Sequence, residues 1–218
     1  MYQCPYYDYC ASLYRETPQY SYIRVFHASP NAPAVDVYVN NKPIVKNLPY
    51  QGFSNYTPVA PGKYNVKVFP AGKQDTPVIN TDVDVPAKSI ITAAAIGTLP
   101  NISLLPILEP TFTRTPGRAY VRFAHLSPNA PNVDVTLPNG AKVFSNVPYK
   151  KVTDYISVQP GTYAFNVNVS ENGQRVLYVP NVRLLPNRIY TIYAIGLVGQ
   201  NPPLKVVIPL DGNTYLKV

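Results

Sequence analysis

Apolar and polar residues alternate one for one along much of the chain, the pattern of strands with one buried face. Val35, Val37 and Val39, for example, are separated by polar residues or tyrosine. Continuous apolar runs occur at 89–96 and 188–195, as expected of central strands buried on both faces. We find no segment with the 3.6-residue apolar period of an amphipathic helix. The pattern therefore predicts an all-β protein.

The strand pattern occurs twice. The sequence YIRVFHASPNAPAVDVY at 22–38 corresponds to YVRFAHLSPNAPNVDVT at 120–136, and 47–66 corresponds to 146–165. A match over two units of about 90 residues indicates two copies of one domain. Each copy contains about seven predicted strands with turn signals roughly every 8–12 residues. This profile is typical of an immunoglobulin-like or transthyretin-like β-sandwich.

We therefore predict two tandem β-sandwiches with an N-terminal extension. The predicted segments are a Cys- and Tyr-rich connector at 1–21, a first repeat at 22–108, a Pro- and Thr-rich linker at 109–119 and a second repeat at 120–218. Asp211-Gly212 is a dipeptide typical of hairpin turns, so 214–218 is predicted to return as a last strand.

Composition narrows the class of partner. The net charge is +8 with only 14% charged residues. Lys and Arg are mostly single, and no basic run reaches five residues, so we predict no nucleic-acid partner. The basic balance still leaves an anionic wall or spore polymer as a candidate partner. No apolar stretch is long enough to span a membrane.

The motif His-x-Ser-Pro-Asn-Ala-Pro-x-Val-Asp occurs in both copies and holds the chain's two histidines. Its polar members are His27, Ser29, Asp36, His125, Ser127 and Asp134. A base, a nucleophile or a metal site is one interpretation. However, one His and one Asp per copy are too few metal ligands, no other acid has a counterpart in both copies, and a Ser before Pro lacks a nucleophile elbow. We interpret the six residues as structural corners in which His and Asp hydrogen-bond, and predict no catalytic residue, cofactor or metal.

The N-terminal segment contains the candidates for subunit linkage, Cys4, Cys10, Tyr6, Tyr7 and Tyr9. The cysteines could bridge subunits, pair with each other or stay reduced. The tyrosines could pack on their own domain, add to a neighbouring sheet edge or cross-link oxidatively. The segment lacks the basic start and apolar run of a secretory signal peptide, so export by that route is not expected.

Both copies resemble a bacterial and archaeal family known as domain of unknown function 4397. The resemblance rests on R-x-x-H-x-S-P-x-A-P-x-V-D at Arg24–Asp36 and Arg122–Asp134, each followed by P-G-x-Y at 61–64 and 160–163. It implies a β-sandwich module, frequently in tandem on secreted or surface proteins. It supplies no catalytic residues.

The two-copy form with a Cys- and Tyr-rich leader is similar to proteins of spore-forming Firmicutes. Spore coat and exosporium proteins are made in the mother-cell cytosol and need no signal peptide. We therefore predict a non-enzymatic structural protein that self-assembles, through its N-terminal segment, into a spore-surface or cell-surface layer or appendage. Its partners would be further copies of itself and other spore-surface proteins. The alternative is a surface module that binds an anionic cell-wall or spore polymer.

Overall fold

Sixteen β-strands and one 3₁₀ turn make up the regular structure of residues 20–218, which are the residues that the computed structural model describes. The strands of the first copy are β1 (Ser21–His27), β2 (Val35–Val39), β3 (Lys42–Leu48), β4 (Thr57–Val59), β5 (Gly62–Pro70), β6 (Ile79–Val85), β7 (Ile90–Thr98) and β8 (Asn101–Leu108). Those of the second copy are β9 (Ala119–His125), β10 (Val133–Thr136), β11 (Lys142–Val147), β12 (Ile156–Val158), β13 (Gly161–Val169), β14 (Arg175–Leu184), β15 (Ile189–Ile195) and β16 (Lys205–Val207).

Each copy folds into two four-stranded sheets, which confirms the predicted pair of β-sandwiches. The first copy has the orders β4-β1-β7-β8 and β3-β2-β5-β6, and the second repeats them as β12-β9-β15-β16 and β11-β10-β13-β14. In each copy the first-named sheet is called the inner sheet and the other the outer sheet. Strands β1 and β7 pair in parallel, as do β9 and β15. Eight strands form per copy, one more than predicted, because β4 and β12 have only three residues each and leave little periodic signal.

Three apolar clusters hold the described residues together. One lies between the two sheets of each copy, and the third joins the two inner sheets back to back. The layer order is therefore outer, inner, inner, outer. Strands β7 and β15 are buried on both faces, as the continuous apolar runs predicted. No helix within residues 20–218 is long and apolar enough to cross a bilayer.

The predicted C-terminal strand is wrong. The residues after Asp211 form a 3₁₀ turn at Gly212–Thr214 instead of a hairpin. The reason lies in Asp211 itself, whose side chain is fully buried between the two copies and is bound there by Arg24 and Thr191. A buried, bonded carboxylate cannot also serve an exposed hairpin turn.

Candidate functional site

The first corner motif is bonded to its own backbone. His27 ends β1, and its Nε2 lies 2.9 Å from the carbonyl oxygen of Pro33. A carbonyl only accepts, so Nε2 carries the proton and Nδ1 accepts from the Ser29 N–H at 3.4 Å. The Ser29 hydroxyl donates to the Gly97 carbonyl at 2.7 Å. The loop after β1 is thereby attached to the end of β7.

The second copy repeats two of these three contacts. His125 Nε2 lies 3.0 Å from the carbonyl oxygen of Pro131. The Ser127 hydroxyl donates to the Gly196 carbonyl at 2.7 Å. In both copies the serine proton is given to a carbonyl, so no base is placed to remove it.

The predicted hydrogen bond between His and Asp is absent from both described corners. Asp36 accepts instead from the N–H groups of Asn47 and Gly72, at 2.7 and 3.1 Å. The physical reason is that His27 ends a strand of the inner sheet while Asp36 lies on β2 of the outer sheet. Each side chain therefore forms hydrogen bonds with backbone groups next to its own strand.

Asp134 shows the same behaviour in the second copy. It accepts from the Asn146 N–H at 2.7 Å and from the Ser170 hydroxyl at 2.8 Å, and it pairs with the Lys142 ammonium at 2.6 Å. Burial acts to raise the pKa of Asp134, but these three partners outweigh burial and keep the pKa below its usual range.

The remaining corner groups also have shifted pKa values. Burial lowers the pKa of His27 and of His125, although the carbonyl bond of each ring opposes the shift. The two N–H donors hold the pKa of Asp36 below its usual range. At neutral pH the histidines are therefore uncharged and the aspartates ionised, both engaged in holding loops.

Two buried arginines cross the interface between the copies in a reciprocal arrangement. Arg24 of the first copy donates from Nη1 to the carbonyl oxygen of Leu210 at 3.0 Å. Arg122 of the second copy donates from Nη1 to the carbonyl oxygen of Leu108 at 2.7 Å. Each arginine also donates from Nε to a buried threonine of its own copy, at 2.8 Å. The two copies are thus related by an approximate twofold axis.

Two buried acids complete this interface network. Arg24 Nη2 lies 3.2 Å from Asp211 Oδ1 and 3.6 Å from Glu109 Oε1. Tyr56 donates its hydroxyl hydrogen to Glu109, and Tyr155 donates to Asp211 Oδ2 at 2.7 Å. Burial raises the pKa of Asp211 to about 6, and the charge of Glu109 adds to the shift while both arginines oppose it.

Glu109 and Asp211 correct the expectation that no further acid has a counterpart in both copies. Each directly follows the leucine whose carbonyl accepts from the other copy's arginine. The loop between β15 and β16 is longer than the corresponding loop between β7 and β8. For this reason Asp211 does not align with Glu109 when the two copies are compared at the offset of the other matched segments. Glu109, predicted to open a linker, is only 2% exposed.

An aromatic pair lies on the outer sheet of the first copy. Tyr38 on β2 and Phe69 on β5 meet edge to face, with ring centroids 5.4 Å apart. Lys67 is the strand partner of Tyr38, and its ammonium donates to Asn41 Oδ1 at 2.9 Å. Gln74 donates to the Tyr38 hydroxyl. These five residues line a depression of about 180 Å³, called here the aromatic depression.

The second copy has different chemistry at the same sheet positions. Thr136 replaces Tyr38, Asn166 replaces Lys67 and Asn168 replaces Phe69 in the corresponding strand pairing. The corner motif and the interface network are shared by both copies, whereas the aromatic depression belongs to one. A feature that only one copy has is not required to form the fold.

The aromatic depression was not predicted from the sequence, although a comparison of the two copies contains evidence for it. Aligning the two copies and comparing them residue by residue would have identified Tyr38 and Phe69 as aromatic residues facing polar counterparts. The predicted linkage residues Cys4, Cys10, Tyr6, Tyr7 and Tyr9 lie outside the described residues. Among residues 20–218, no three His, Cys, Asp or Glu side chains are grouped in a way that could hold a metal ion.

Comparison with known proteins gives a family and distant structural likenesses. No curated protein matches the chain. A family CBM26 protein of Eubacterium rectale, solved with maltoheptaose, has 11% identity and a TM-score of 0.29, and the match covers 85% of this chain and 96% of that one. The Bacillus anthracis TIE protein has 13% identity and a TM-score of 0.27, over 83% of this chain and 34% of that one.

A putative polysaccharide binding protein of Bacteroides thetaiotaomicron has 11% identity and a TM-score of 0.24, with 88% and 96% of the two chains covered. Likenesses with TM-scores this low carry no functional argument. The family comparison is decisive, since the profile described as "Domain of unknown function (DUF4397)" matches residues 21–136 and 136–214. The chain therefore belongs to the DUF4397 family.

Proposed function

We propose that the chain is a non-catalytic surface module that binds an anionic polysaccharide across the outer sheet of its first copy. The observation that carries the proposal is the aromatic depression, whose lining Tyr38 and the nearly buried Phe69 share with Lys67. The nature of the polymer follows from three properties of that surface.

The first property is the combination of side chains. The apolar C–H face of a sugar ring can pack on an aromatic ring, and amide groups such as those of Asn41 and Gln74 can bond to sugar hydroxyls. Lys67 uses one N–H on Asn41, which leaves the others for a carboxylate or phosphate of the ligand. The aromatic rings, the side-chain amides and the one ammonium group of the depression are together suited to bind a negatively charged sugar.

The second property is the shape of the depression. Its volume of about 180 Å³ is below the roughly 300–1,000 Å³ of pockets that enclose a small molecule. A short segment of a longer chain lying across an open sheet face fits this depression better than a free sugar does. The ligand is therefore a polymer.

The third property is the surrounding charge. Arg24, Arg122, Glu109 and Asp211 are buried together in the interface network, where two cations face two anions. Because these four charges cancel, the net charge of +8 is carried by other residues of the chain. Lys42 and Lys46 are exposed on β3, beside the strand that carries Tyr38. A basic surface of this kind attracts anionic chains over the range of the Debye length.

The test is titration of the full chain with polygalacturonate, with poly(glycerol phosphate), whose backbone has charge but no sugar ring, and with neutral dextran. We expect polygalacturonate to bind and the other two polymers to bind more weakly. The double variant Tyr38→Thr/Phe69→Asn, which installs the second copy's residues, should weaken binding about tenfold or more. Asn168→Ala at the matched position of the second copy should bind as the wild type does. Equal affinity of the double variant and the wild type would refute the proposal.

Self-assembly through the N-terminal segment is our second proposal, with a location on a spore or cell surface. Strands β6 and β14 lie at the edges of the outer sheets, where a segment of a neighbouring chain could add as a further strand. Light scattering of the full chain and of a chain beginning at Ser21, with and without reductant, tests this proposal. The proposal is supported if only the full chain forms a large particle. It is contradicted if both the full chain and the chain beginning at Ser21 remain monomeric in every condition.

A further inference from the structure

The first copy contains an apolar cavity between its two sheets. The cavity has a volume of about 70 Å³ and is lined by twelve residues, among them Val25 on β1, Val66 on β5 and Ala93 on β7. Cores are usually packed with few voids larger than a water molecule. A void of this size between two sheets therefore needs an explanation.

The explanation is a set of size differences between the copies. Strand pairing and the repeat alignment match three small lining residues of the first copy with larger ones of the second: Val25 with Phe123, Val66 with Phe165, and Ala93 with Ile192. In the second copy these larger side chains are buried in the core between the sheets. The same fold can therefore accommodate larger side chains in this space, and the first copy has a cavity there because its side chains are smaller.

The lining determines which ligand class fits. It is almost wholly apolar, and the hydroxyl groups of Ser54 and Tyr64, two of the three in the lining, are engaged elsewhere. Ser54 Oγ accepts from the Val25 N–H at 2.8 Å and donates to the Asn55 carbonyl at 3.0 Å. The Tyr64 hydroxyl donates to the Ala60 carbonyl at 2.7 Å. A ligand is thus offered hydrocarbon contacts, and apolar cavities of this kind stay dry and bind apolar molecules.

The cavity reaches the edge of the sandwich. Ile44 on edge strand β3 and Thr57 on edge strand β4 both line it, and Ile44 is 46% exposed. Lys42 and Lys46 are exposed on either side of Ile44 along β3. A chain that enters past Ile44 would leave its outer end beside two ammonium groups.

We propose that the first copy binds the end of an alkyl chain in this cavity, with the anionic headgroup of the same amphiphile beside Lys42 and Lys46. The cavity is separate from the aromatic depression, because the cavity lies between the sheets and the depression lies on the outer face, although Lys42 and Lys46 on edge strand β3 border both. The second copy, with Phe123, Phe165 and Ile192 in place, does not bind the chain.

The experiment is a titration of the methyl-labelled full chain with sodium butanoate, hexanoate and octanoate, followed by NMR. Methyl signals of Val25 and Val66 should shift, while those of Ile192 in the second copy should not. The affinity should rise about fourfold for each added methylene until the cavity is full. Absence of shifts at Val25 and Val66, or equal shifts in both copies, would overturn the proposal.

Variants that borrow the second copy's residues separate cavity binding from surface adsorption. Ala93→Ile and, independently, Val66→Phe should each abolish the shifts while leaving the melting temperature close to that of the wild type. If either folded variant binds octanoate as the wild type does, the cavity is not the site. Octanol tests the headgroup, since equal affinity for octanol and octanoate would refute the role given to Lys42 and Lys46.

Discussion

Phe26 of the first copy and Tyr193 of the second pack against each other across the interface, with ring centroids 5.0 Å apart. The repeat alignment places Ala124 where the first copy has Phe26, and Ala94 where the second has Tyr193. All four side chains are buried in the cluster that joins the inner sheets. Large residues of one copy thus correspond to small residues of the other, and the two copies are complementary rather than interchangeable.

The first prediction concerns this interface. Phe26→Ala should lower the free energy of unfolding by about 3–5 kcal/mol, because it removes a fully buried ring that also stacks on Phe53 at 4.0 Å. Urea denaturation measures the effect. Tyr178→Ala, at a side chain that is 50% exposed, is the control and should change stability by no more than about 0.5 kcal/mol. A loss below about 1 kcal/mol for Phe26→Ala would contradict tight packing between the copies.

The second prediction concerns the interface network. Arg24→Met should destabilise the chain by about 3–5 kcal/mol, because the buried carboxyl groups of Glu109 and Asp211 then lose the cation that lies 3.2 to 3.6 Å from both. Adding Asp211→Asn to Arg24→Met should recover part of that loss, which a double-mutant cycle measures. Arg183→Met, at an exposed position, is the matched control. Additive losses in the cycle would show that Arg24 and Asp211 are not coupled.

The third prediction is a loss of stability on mild acidification. Burial lowers the pKa of His27 and His125 below the ordinary value of 6.5, so the unfolded chain takes up protons first as the pH falls. The contribution of these histidines to stability is therefore lost as the pH falls below about 6.5, at up to about 1.4 kcal/mol per pH unit for each ring. Asp211 acts in the opposite direction below about pH 6, because its pKa is raised in the folded state.

The double variant His27→Gln/His125→Gln isolates the histidines, since Asp211 is unchanged in it. Stability curves of variant and wild type from pH 7.5 to 5.5 should diverge, with the wild type losing more. Parallel curves would mean that the rings are not held neutral by burial.

The fourth prediction concerns polymer binding. Affinity for the charged polymer should fall as salt rises, because exposed charges are screened over about 10 Å at 0.1 M and 3 Å at 1 M salt. Lys67→Met should weaken binding and reduce its salt dependence. Lys151→Met, at an exposed lysine of the second copy, should leave both unchanged. The same salt dependence in wild type and Lys67→Met would exclude Lys67 from the contact.

The strands and the duplication were predictable because the information is local. The two-residue period at Val35–Val39 and the paired HxSPNAPxVD motifs identify strands and copies without knowledge of tertiary contacts. The predicted hydrogen bond between His27 and Asp36 was wrong because sequence spacing does not tell which of two sheets a strand joins. The strands that carry the two residues belong to different sheets.

The interface network was beyond sequence analysis for a different reason. Arg24 reaches Asp211, which is 187 residues away, only because the inner sheets pack back to back. Nothing local distinguishes a buried arginine in an alternating strand from a solvated one. Similarly, Asp211-Gly212 has the composition of a hairpin turn, and only the packing of the two copies buries its carboxylate.

The most direct test of the proposed function is to locate the bound polymer on the full chain by NMR. On titration with polygalacturonate, we expect the ring signals of Tyr38 and Phe69 to shift together with the side-chain amides of Asn41 and Gln74. The signals of Thr136, at the matched position of the second copy, should stay in place. Binding that shifts both copies equally, or that leaves the rings of Tyr38 and Phe69 unchanged, would refute the proposed binding surface.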